Sequence, residues 1–337
     1  MNELSTSPSR ELRRSIRPCI ICGSKDCTPV FDFTLDFAVR VRGQTEASMR
    51  SQGWDDDTTS TIVKCRQCGC NYVRDTAIPS LAYRSAASDH SLTADSIEER
   101  RARVSQKDVY KNYHLFDYQV WVVRMLVQLA STAQKRDIKL LDYGAGGGET
   151  SSIARVMGVR DVIAYDPNWA EAIQTHFDST NFPGIQCVRD KAELPALGPF
   201  DAAIFQSAIE HVLDPRAELQ TIFDLMAPGG FFYVNNPVME IDKEIGALRA
   251  AKQIRKKDRI SYYHFGHFNY MMPRHIEQLI KEVGFEITPM VHYPPVHWAP
   301  GHYREYFTRN LKRAIRYTQN LLGLPYDRYF YILRKPV

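Results

Sequence analysis

The stretch Ile138-Lys-Leu-Leu-Asp-Tyr-Gly-Ala-Gly-Gly-Gly-Glu-Thr150 decides the fold. A short apolar run ends in Asp142, and three glycines follow at alternate positions, Gly144, Gly146 and Gly148. Ile153, Ala154 and Met157 then recur at helical spacing before Gly158. The pattern predicts a strand, a tight glycine turn and a helix. Glycines carry no Cβ, so a nucleotide-like ligand can lie close to that backbone.

The turn is not a dinucleotide fingerprint, which needs G-x-G-x-x-G. Counted from Gly144 the third glycine falls on Glu149, and counted from Gly146 it falls on Ser151. A pyrophosphate also wants bare amides without a carboxylate beside them. Here Asp142 precedes the first glycine and Glu149 follows the last. Carboxylates in those places suit a cation, and S-adenosylmethionine carries a sulfonium and an ammonium. The alternative is a glycine-rich turn with no ligand.

Working outward, Val162-Ile-Ala-Tyr165 reads as a second strand ending at Asp166. An acid there is placed to take ribose hydroxyls. It can equally cap a helix opened by Pro167. Further strands are expected at Ile185–Arg189, Ala202–Phe205 and Phe231–Val234. Asp214-Pro215 should cap a helix bearing Leu219, Ile222, Phe223 and Met226, and Pro228-Gly-Gly230 should turn the chain into the fifth strand.

The ordered set Leu141-Asp-Tyr-Gly-Ala-Gly-Gly-Gly148, Tyr165-Asp166, Ala192-Glu-Leu-Pro195, Phe200-Asp201, Glu210-His-Val212 and Ala227-Pro-Gly-Gly230 resembles the core of class I S-adenosylmethionine-dependent methyltransferases acting on small molecules. The resemblance covers residues 138–236. It implies an α/β fold with a Rossmann-like seven-stranded sheet in the order 3-2-1-4-5-7-6, strand 7 antiparallel. It also implies that Asp142, Gly144, Ala145, Gly146 and Gly148 hold the methionine part of the cofactor. Asp166 and Pro167 would meet the ribose, Asp190 and Lys191 would edge the adenine, and Gln206 would lie beneath the sulfonium.

The chain has 337 residues, a formal net charge of +4 and seven cysteines, six of them before residue 71. Cys19-Ile-Ile-Cys22-Gly23 and Cys65-Arg-Gln-Cys68-Gly69 are two C-x-x-C-G knuckles, the spacing of a tetrahedral four-cysteine site. Structural zinc is expected on Cys19, Cys22, Cys65 and Cys68. Iron takes the same ligands, and disulfides or free thiols are the bland alternatives. The 42 residues between the knuckles exceed a usual ribbon insert, so strands of their own are expected there. The domain reading is a disordered leader over 1–16, a zinc-ribbon-like module over 17–76, a helical connector over 77–135 and the methyltransferase domain over 136–337. Within the last, insertions are expected on the substrate side at 239–270 and 294–327. Neither a signal peptide nor a membrane span is legible, so a soluble cytoplasmic protein is expected.

On the substrate side, Tyr262-Tyr-His-Phe-Gly-His-Phe-Asn-Tyr270 precedes a helix opened by Pro273. By the resemblance, His211 faces the methyl group and is the first candidate base, with Glu210 to orient it and His267 and Tyr263 as second-rank bases. A structural helix start at Glu210-His211 is the alternative. The basic residues Lys252, Arg255, Lys256, Lys257 and Arg259 read as a solvated helix or a phosphate clamp. The excursion over 294–324 reads as a lid or a homodimer contact. Knuckles ahead of such a core are similar to those of sugar C-methyltransferases. Those carry a further domain after the seventh strand, whereas this sequence stops four residues after Leu333, so O-methylation stays open as well. A zinc-gripping RNA methyltransferase is the rival. Residues 17–75 hold eight Lys/Arg and eight Asp/Glu, too neutral for a nucleic-acid grip. A non-enzymatic cofactor-binding scaffold is the third reading, and it would fit degraded glycines or acids, which are intact here.

Overall fold

The structure is a computed structural model that describes residues 16–36, 46–51, 56, 59–74, 113–134, 137–167, 184–235, 267–288, 307, 311, 314–315, 318 and 330–337. The expected leader, the connector before residue 113, the basic segment, Tyr263 and most of both substrate-side insertions lie outside the described residues.

The glycine-turn stretch is β4 (Lys139–Tyr143) followed by α3 (Glu149–Val156). Parallel strands β5 (Asp161–Tyr165) and β6 (Ile185–Val188) extend the sheet on one side of β4, and β7 (Phe200–Phe205) and β8 (Met226–Asn235) extend it on the other. β11 (Phe330–Arg334) pairs antiparallel with β8, and β10 (Glu286–Ile287), antiparallel to β11, completes the sheet. The seven strands run β10-β11-β8-β7-β4-β5-β6. Renumbered from β4, that is the order expected from the sequence. The chain leaves β4 for β5 on one side and leaves the neighbouring β7 for β8 on the other, so a crevice forms where the strand order reverses.

Pleating sends alternate residues to opposite faces. Leu140 of β4 joins one buried cluster with Leu126, Ile153 and Tyr233, and Leu141 joins another with Leu219, Ile222 and Ile276. The first face is covered by α2 (Tyr113–Gln134), where Trp121 meets Phe330 edge to face with centroids 5.3 Å apart. The second face is covered by α5 (Pro215–Leu225) and α6 (Pro273–Val283). Asp214 caps α5 by accepting from the Ala217 amide at 3.0 Å, with Pro215 in the first turn. A short helix α4 (Leu194–Leu197) precedes β7, and a 3-10 turn (Ile209–His211) follows it.

The expected turn at Pro228-Gly-Gly230 is instead absorbed into β8. Phe200 pairs with Met226 and Ala202 with Phe231, so β8 carries a bulge there. The bulged backbone is satisfied by the end of the chain: Gly229 donates to the Lys335 carbonyl and Lys335 donates to the Gly230 carbonyl, both at 2.9 Å. Turn chemistry identifies the residues, but a neighbouring strand supplies ladder partners that local sequence does not reveal.

The region before the core holds β1 (Cys27–Thr34), α1 (Glu46–Ser51), β2 (Thr59–Cys65) and β3 (Asn71–Val73). Its antiparallel sheet has a fourth strand, β9 (Asn269–Tyr270), which comes from the chain between β8 and the helix at Pro273. Asn71 pairs with Tyr270 and Tyr72 with Asn269. Cys19, Ile21, Val63 and Tyr72 share one apolar cluster with Leu141 and Ile276. The expected ribbon is therefore one body with the core face it packs on. Among the described residues, no helix is long and apolar enough to cross a membrane.

Leu126 is fully buried where α2 meets the sheet. Leu126→Ala should destabilise the protein by about 2–5 kcal/mol, through lost transfer energy and the cavity left behind. Urea denaturation, read by the shift in midpoint at constant slope, checks this.

Candidate functional site

The carboxyl ends of β4, β5, β6 and β7 point to the same edge of the sheet, because these strands are parallel. That edge collects Asp142, the glycine turn, Asp166, Asp190 and Gln206. Gly144, Gly146 and Gly148 all have positive φ, at 77°, 53° and 73°. Gly144 has a second constraint: a Cβ there would stand 3.0 Å from the Ala208 Cβ, against the turn after β7. A Cβ on Gly146 would meet nothing within 4 Å, so this part of the turn borders open space.

The two acids brace the turn. Ser151 Oγ donates to Asp142 Oδ2 at 2.6 Å, tying the strand end to α3. The Gly146 amide donates to Asp166 Oδ2 at 2.9 Å, tying the turn to the end of β5. Burial pushes the Asp142 carboxyl up to about 6, against the pull of the Ser151 hydroxyl; Asp166 nearby adds to the rise. Two buried carboxylates beside one turn leave a negative field that a cation would relieve. Pro167 is exposed at the mouth.

The remaining cofactor candidates are placed differently. Asp190 is exposed and accepts from the Ala192 amide at 2.9 Å, opening a short 3-10 turn. Lys191 is committed to Glu218 of α5, with both carboxylate oxygens 2.7 Å from its ammonium. Tyr143 donates its hydroxyl to the same Glu218, so a Tyr-Glu-Lys chain closes one side of the crevice. Gln206 carries a buried Oε1 with no hydrogen-bond partner among the described residues, an acceptor held at the strand end.

Glu210, His211 and His267 come together. The two imidazole centroids are 4.6 Å apart with planes at 66°. One donor atom from each of the three side chains lies within 4.8 Å of the others. Glu210 is 2% exposed, and its Oε2 has no hydrogen-bond partner among the described residues. Burial raises its carboxyl to about 8. His267 reaches the cluster because the Phe268 amide donates to the Glu210 carbonyl at 2.7 Å.

Asn269 fixes the same join and is absent from the sequence-derived candidates. Its Nδ2 donates to the Ile209 carbonyl at 3.2 Å and to the Val212 carbonyl at 2.6 Å, so it holds the turn bearing Glu210 and His211. Arg17, just before the first knuckle, holds Asn269 in turn. Its Nη2 donates to Asn269 Oδ1 at 2.7 Å and to the Phe268 carbonyl at 3.2 Å, and its Nη1 donates to the Leu213 carbonyl at 3.2 Å. The guanidinium lies over the Tyr72 ring, 5.5 Å from its centroid. Arg17 lies 252 positions from Asn269 in sequence, a pairing that no local pattern signals.

The four knuckle cysteines converge. Cys19 and Cys68 Sγ are 3.4 Å apart, Cys22 and Cys65 Sγ are 3.5 Å apart, and all four lie within 4.8 Å of one another. These separations are far beyond an S–S bond and close to the ~3.8 Å edge of a tetrahedron with zinc–sulfur bonds of about 2.3 Å. Gly23 and Gly69 donate their amides to the Cys19 and Cys65 carbonyls at 2.8 and 3.0 Å, the turn each knuckle needs. The knuckles also seat on the core. Arg216 donates to the Ile21 carbonyl at 2.8 Å. His275 Nδ1 accepts from the Met272 amide, so its Nε2 carries the proton and donates to the Cys68 carbonyl at 3.1 Å.

Residues 118–289 match the family model of a methyltransferase domain. That is just over half of the chain, which belongs to this family. The ubiquinone biosynthesis O-methyltransferase of Caulobacter sp. (strain K31) is 32% identical over 120 residues, which make up 34% of this chain and 45% of that protein. The protein of the same name from Caulobacter vibrioides (strain ATCC 19089 / CIP 103742 / CB 15) is 31% identical over 128 residues, 36% of this chain and 48% of that one. The chain spans about half the length of these curated relatives. Among solved structures, it is similar to the plantazolicin methyltransferase BpumL in complex with SAH, at 13% identity and a TM-score of 0.43 over 77% of this chain and 98% of that one. It is also similar to a Burkholderia thailandensis 1,6-didemethyltoxoflavin-N1-methyltransferase, at 16% identity and a TM-score of 0.38 over 71% and 90% of the two chains.

Arg17→Met keeps the apolar stem and removes the buried donors. The Asn269 side-chain carbonyl and the Leu213 and Phe268 backbone carbonyls then lose a charged partner. The loss should be about 1.5–3 kcal/mol, measured by urea unfolding. A double-mutant cycle with Asn269→Ala should show strong coupling between the two positions; simple additivity would mean that the pair does not act as a unit.

Proposed function

We propose that this chain transfers a methyl group from S-adenosylmethionine to a small-molecule acceptor. The observation that carries the reading is the crevice edge: a turn of three positive-φ glycines braced by two buried acids, with the orphaned Gln206 acceptor after the neighbouring strand β7. Asp142 and Gly144 through Gly148 would hold the methionine part, Asp166 and Pro167 the ribose, Asp190 and Lys191 the adenine edge, and Gln206 would lie beneath the sulfonium. The cofactor supplies an electrophilic methyl on a sulfonium; the residues need to align the acceptor and exclude water.

His211 would take the proton from an acceptor hydroxyl or acidic carbon, with Glu210 orienting it and His267 beside it. The acceptor we propose is a hydroxyl or carbon of a sugar, a nucleotide-linked sugar or a natural product, and the relatives named for O-methyl transfer support the hydroxyl. The four converging cysteines are proposed to hold one structural zinc. A closed site of four thiolates leaves no open position for chemistry.

Cofactor binding is testable without the acceptor. S-adenosylhomocysteine, titrated calorimetrically into the full chain, should bind, and Asp166→Ala should weaken it by about 1.5–3 kcal/mol through lost charged hydrogen bonds. The pH dependence has a definite sign. Asp142 rests at about 6 without ligand, and the ligand's ammonium favours its ionised form. Below that value binding must expel a proton, so affinity should fall about tenfold per pH unit, and it should level off above it. Asp142→Asn should flatten the slope. A folded wild type that ignores S-adenosylhomocysteine and binds NAD would sink the assignment.

A further inference from the structure

The cluster behind the crevice has a property that proton transfer alone does not use. Three side chains of metal-ligating chemistry converge on one point, and they are Glu210, His211 and His267. Glu210 and His211 are neighbours on one 3-10 turn, while His267 arrives from 56 positions further along the chain. The backbone bond from Phe268 to the Glu210 carbonyl fixes the approach at 2.7 Å, and Asn269 grips the same turn at the Ile209 and Val212 carbonyls. The backbone that carries the three side chains is thus fixed by these contacts.

The second observation is the carboxylate itself. Glu210 is 2% exposed, and its Oε2 has no hydrogen-bond partner among the described residues. Ile209 and Phe268 beside it are buried apolar residues. A buried carboxylate oxygen without a donor is costly, and a cation among the three side chains would satisfy it. Both histidines are only partly buried, so the point they share has access to solvent.

We propose that Glu210, His211 and His267 form a second metal site, for a divalent first-row transition ion. Two imidazoles and one carboxylate suit Zn2+, Fe2+, Co2+ or Ni2+ better than Mg2+ or Ca2+, which prefer all-oxygen shells. Three protein ligands leave positions for water or for an oxygen of a small molecule, in contrast to the closed cysteine site. The inference rests on the methyl-transfer reading for its purpose, which is to seat an acceptor oxygen beside the crevice. It changes the part of His211 from taking a proton to holding the ion.

The experiment needs no acceptor. The full chain, dialysed against a weak chelator so that thiolate-held metal stays, is titrated with Co2+ and followed by metal analysis and absorption. A second equivalent should bind and give the weak visible bands of a nitrogen–oxygen site, without intense thiolate charge-transfer bands. Glu210→Gln, His211→Ala and His267→Ala should each weaken that equivalent by at least about tenfold, a loss seen even when a group that merely supports a metal ligand is removed. Cys65→Ser should abolish the thiolate-bound equivalent. If an alanine variant fails to fold by thermal melting, His211→Asn and His267→Gln take its place. A single thiolate-bound equivalent, or a second one indifferent to all three positions, overturns the proposal. S-adenosylhomocysteine binding is measured on the same samples. Its persistence without a second metal overturns this site alone; its absence while the second metal binds overturns the methyl-transfer reading instead.

Discussion

The structure turns on one buried guanidinium. Arg17 is 8% exposed, and its direct partners are an amide oxygen, two main-chain carbonyls and the face of a tyrosine. Desolvation lowers it to about 10, which still leaves it charged at neutral pH. A buried cation held by neutral dipoles is stable only if those dipoles stay in place. The dipoles belong to Leu213, Phe268 and Asn269, the segments on either side of the histidine pair. The charge therefore makes the N-terminal sheet, the turn after β7 and the strand β9 depend on one another. The β3–β9 pairing and the Ile21 and Cys68 carbonyl contacts reinforce the same seam.

This seam explains what the cysteine knuckles do for the rest of the molecule. A knuckle fixes its backbone within a few residues of the sulfurs, and here that backbone is what the core grips. Arg17 stands two residues before Cys19, and Ile21 stands one before Cys22. A metal clamp on the sulfurs would keep the Arg17 main chain from fraying, where an ordinary N-terminal segment does so readily. The module is neutral by sequence, and its contacts with the core run through apolar packing and buried hydrogen bonds. The joint is thus built like a domain interior, on packing and buried hydrogen bonds rather than on surface charge.

Legibility in the sequence follows the range of the interactions. The glycine turn, the Asp214-Pro215 cap and the β–α alternation are set by neighbours in sequence, and they fold where the pattern places them. The knuckle cysteines are legible because the spacing of each pair is local, although their meeting is not. Asn269 and Arg17 are not legible. Asn269 sits in an aromatic run where its side-chain amide looks incidental, and Arg17 follows the run Arg10-Glu-Leu-Arg-Arg14 closely enough to read as one more basic residue. Only the fold brings them within 2.7 Å. The bulge at Ala227–Gly230 reads as a plain turn for the same reason, since its partner is Lys335 at the far end of the chain.

The two halves of the crevice are consequently built by different physics. The half at the glycine turn is a local device: Gly146 is held by Asp166 only 20 positions away, and Asp142 by Ser151 only nine away. The half that would meet the acceptor is a long-range device, in which His211 and His267 face each other only because β9 is paired to β3 and pinned by Arg17. Damage to the N-terminal sheet should therefore reach the histidine pair before it reaches the glycine turn. Local contacts re-form cheaply, whereas contacts that close long loops depend on the whole body being assembled. A chain arranged this way can vary the histidine side through the seam while the glycine turn and its two acids stay as they are.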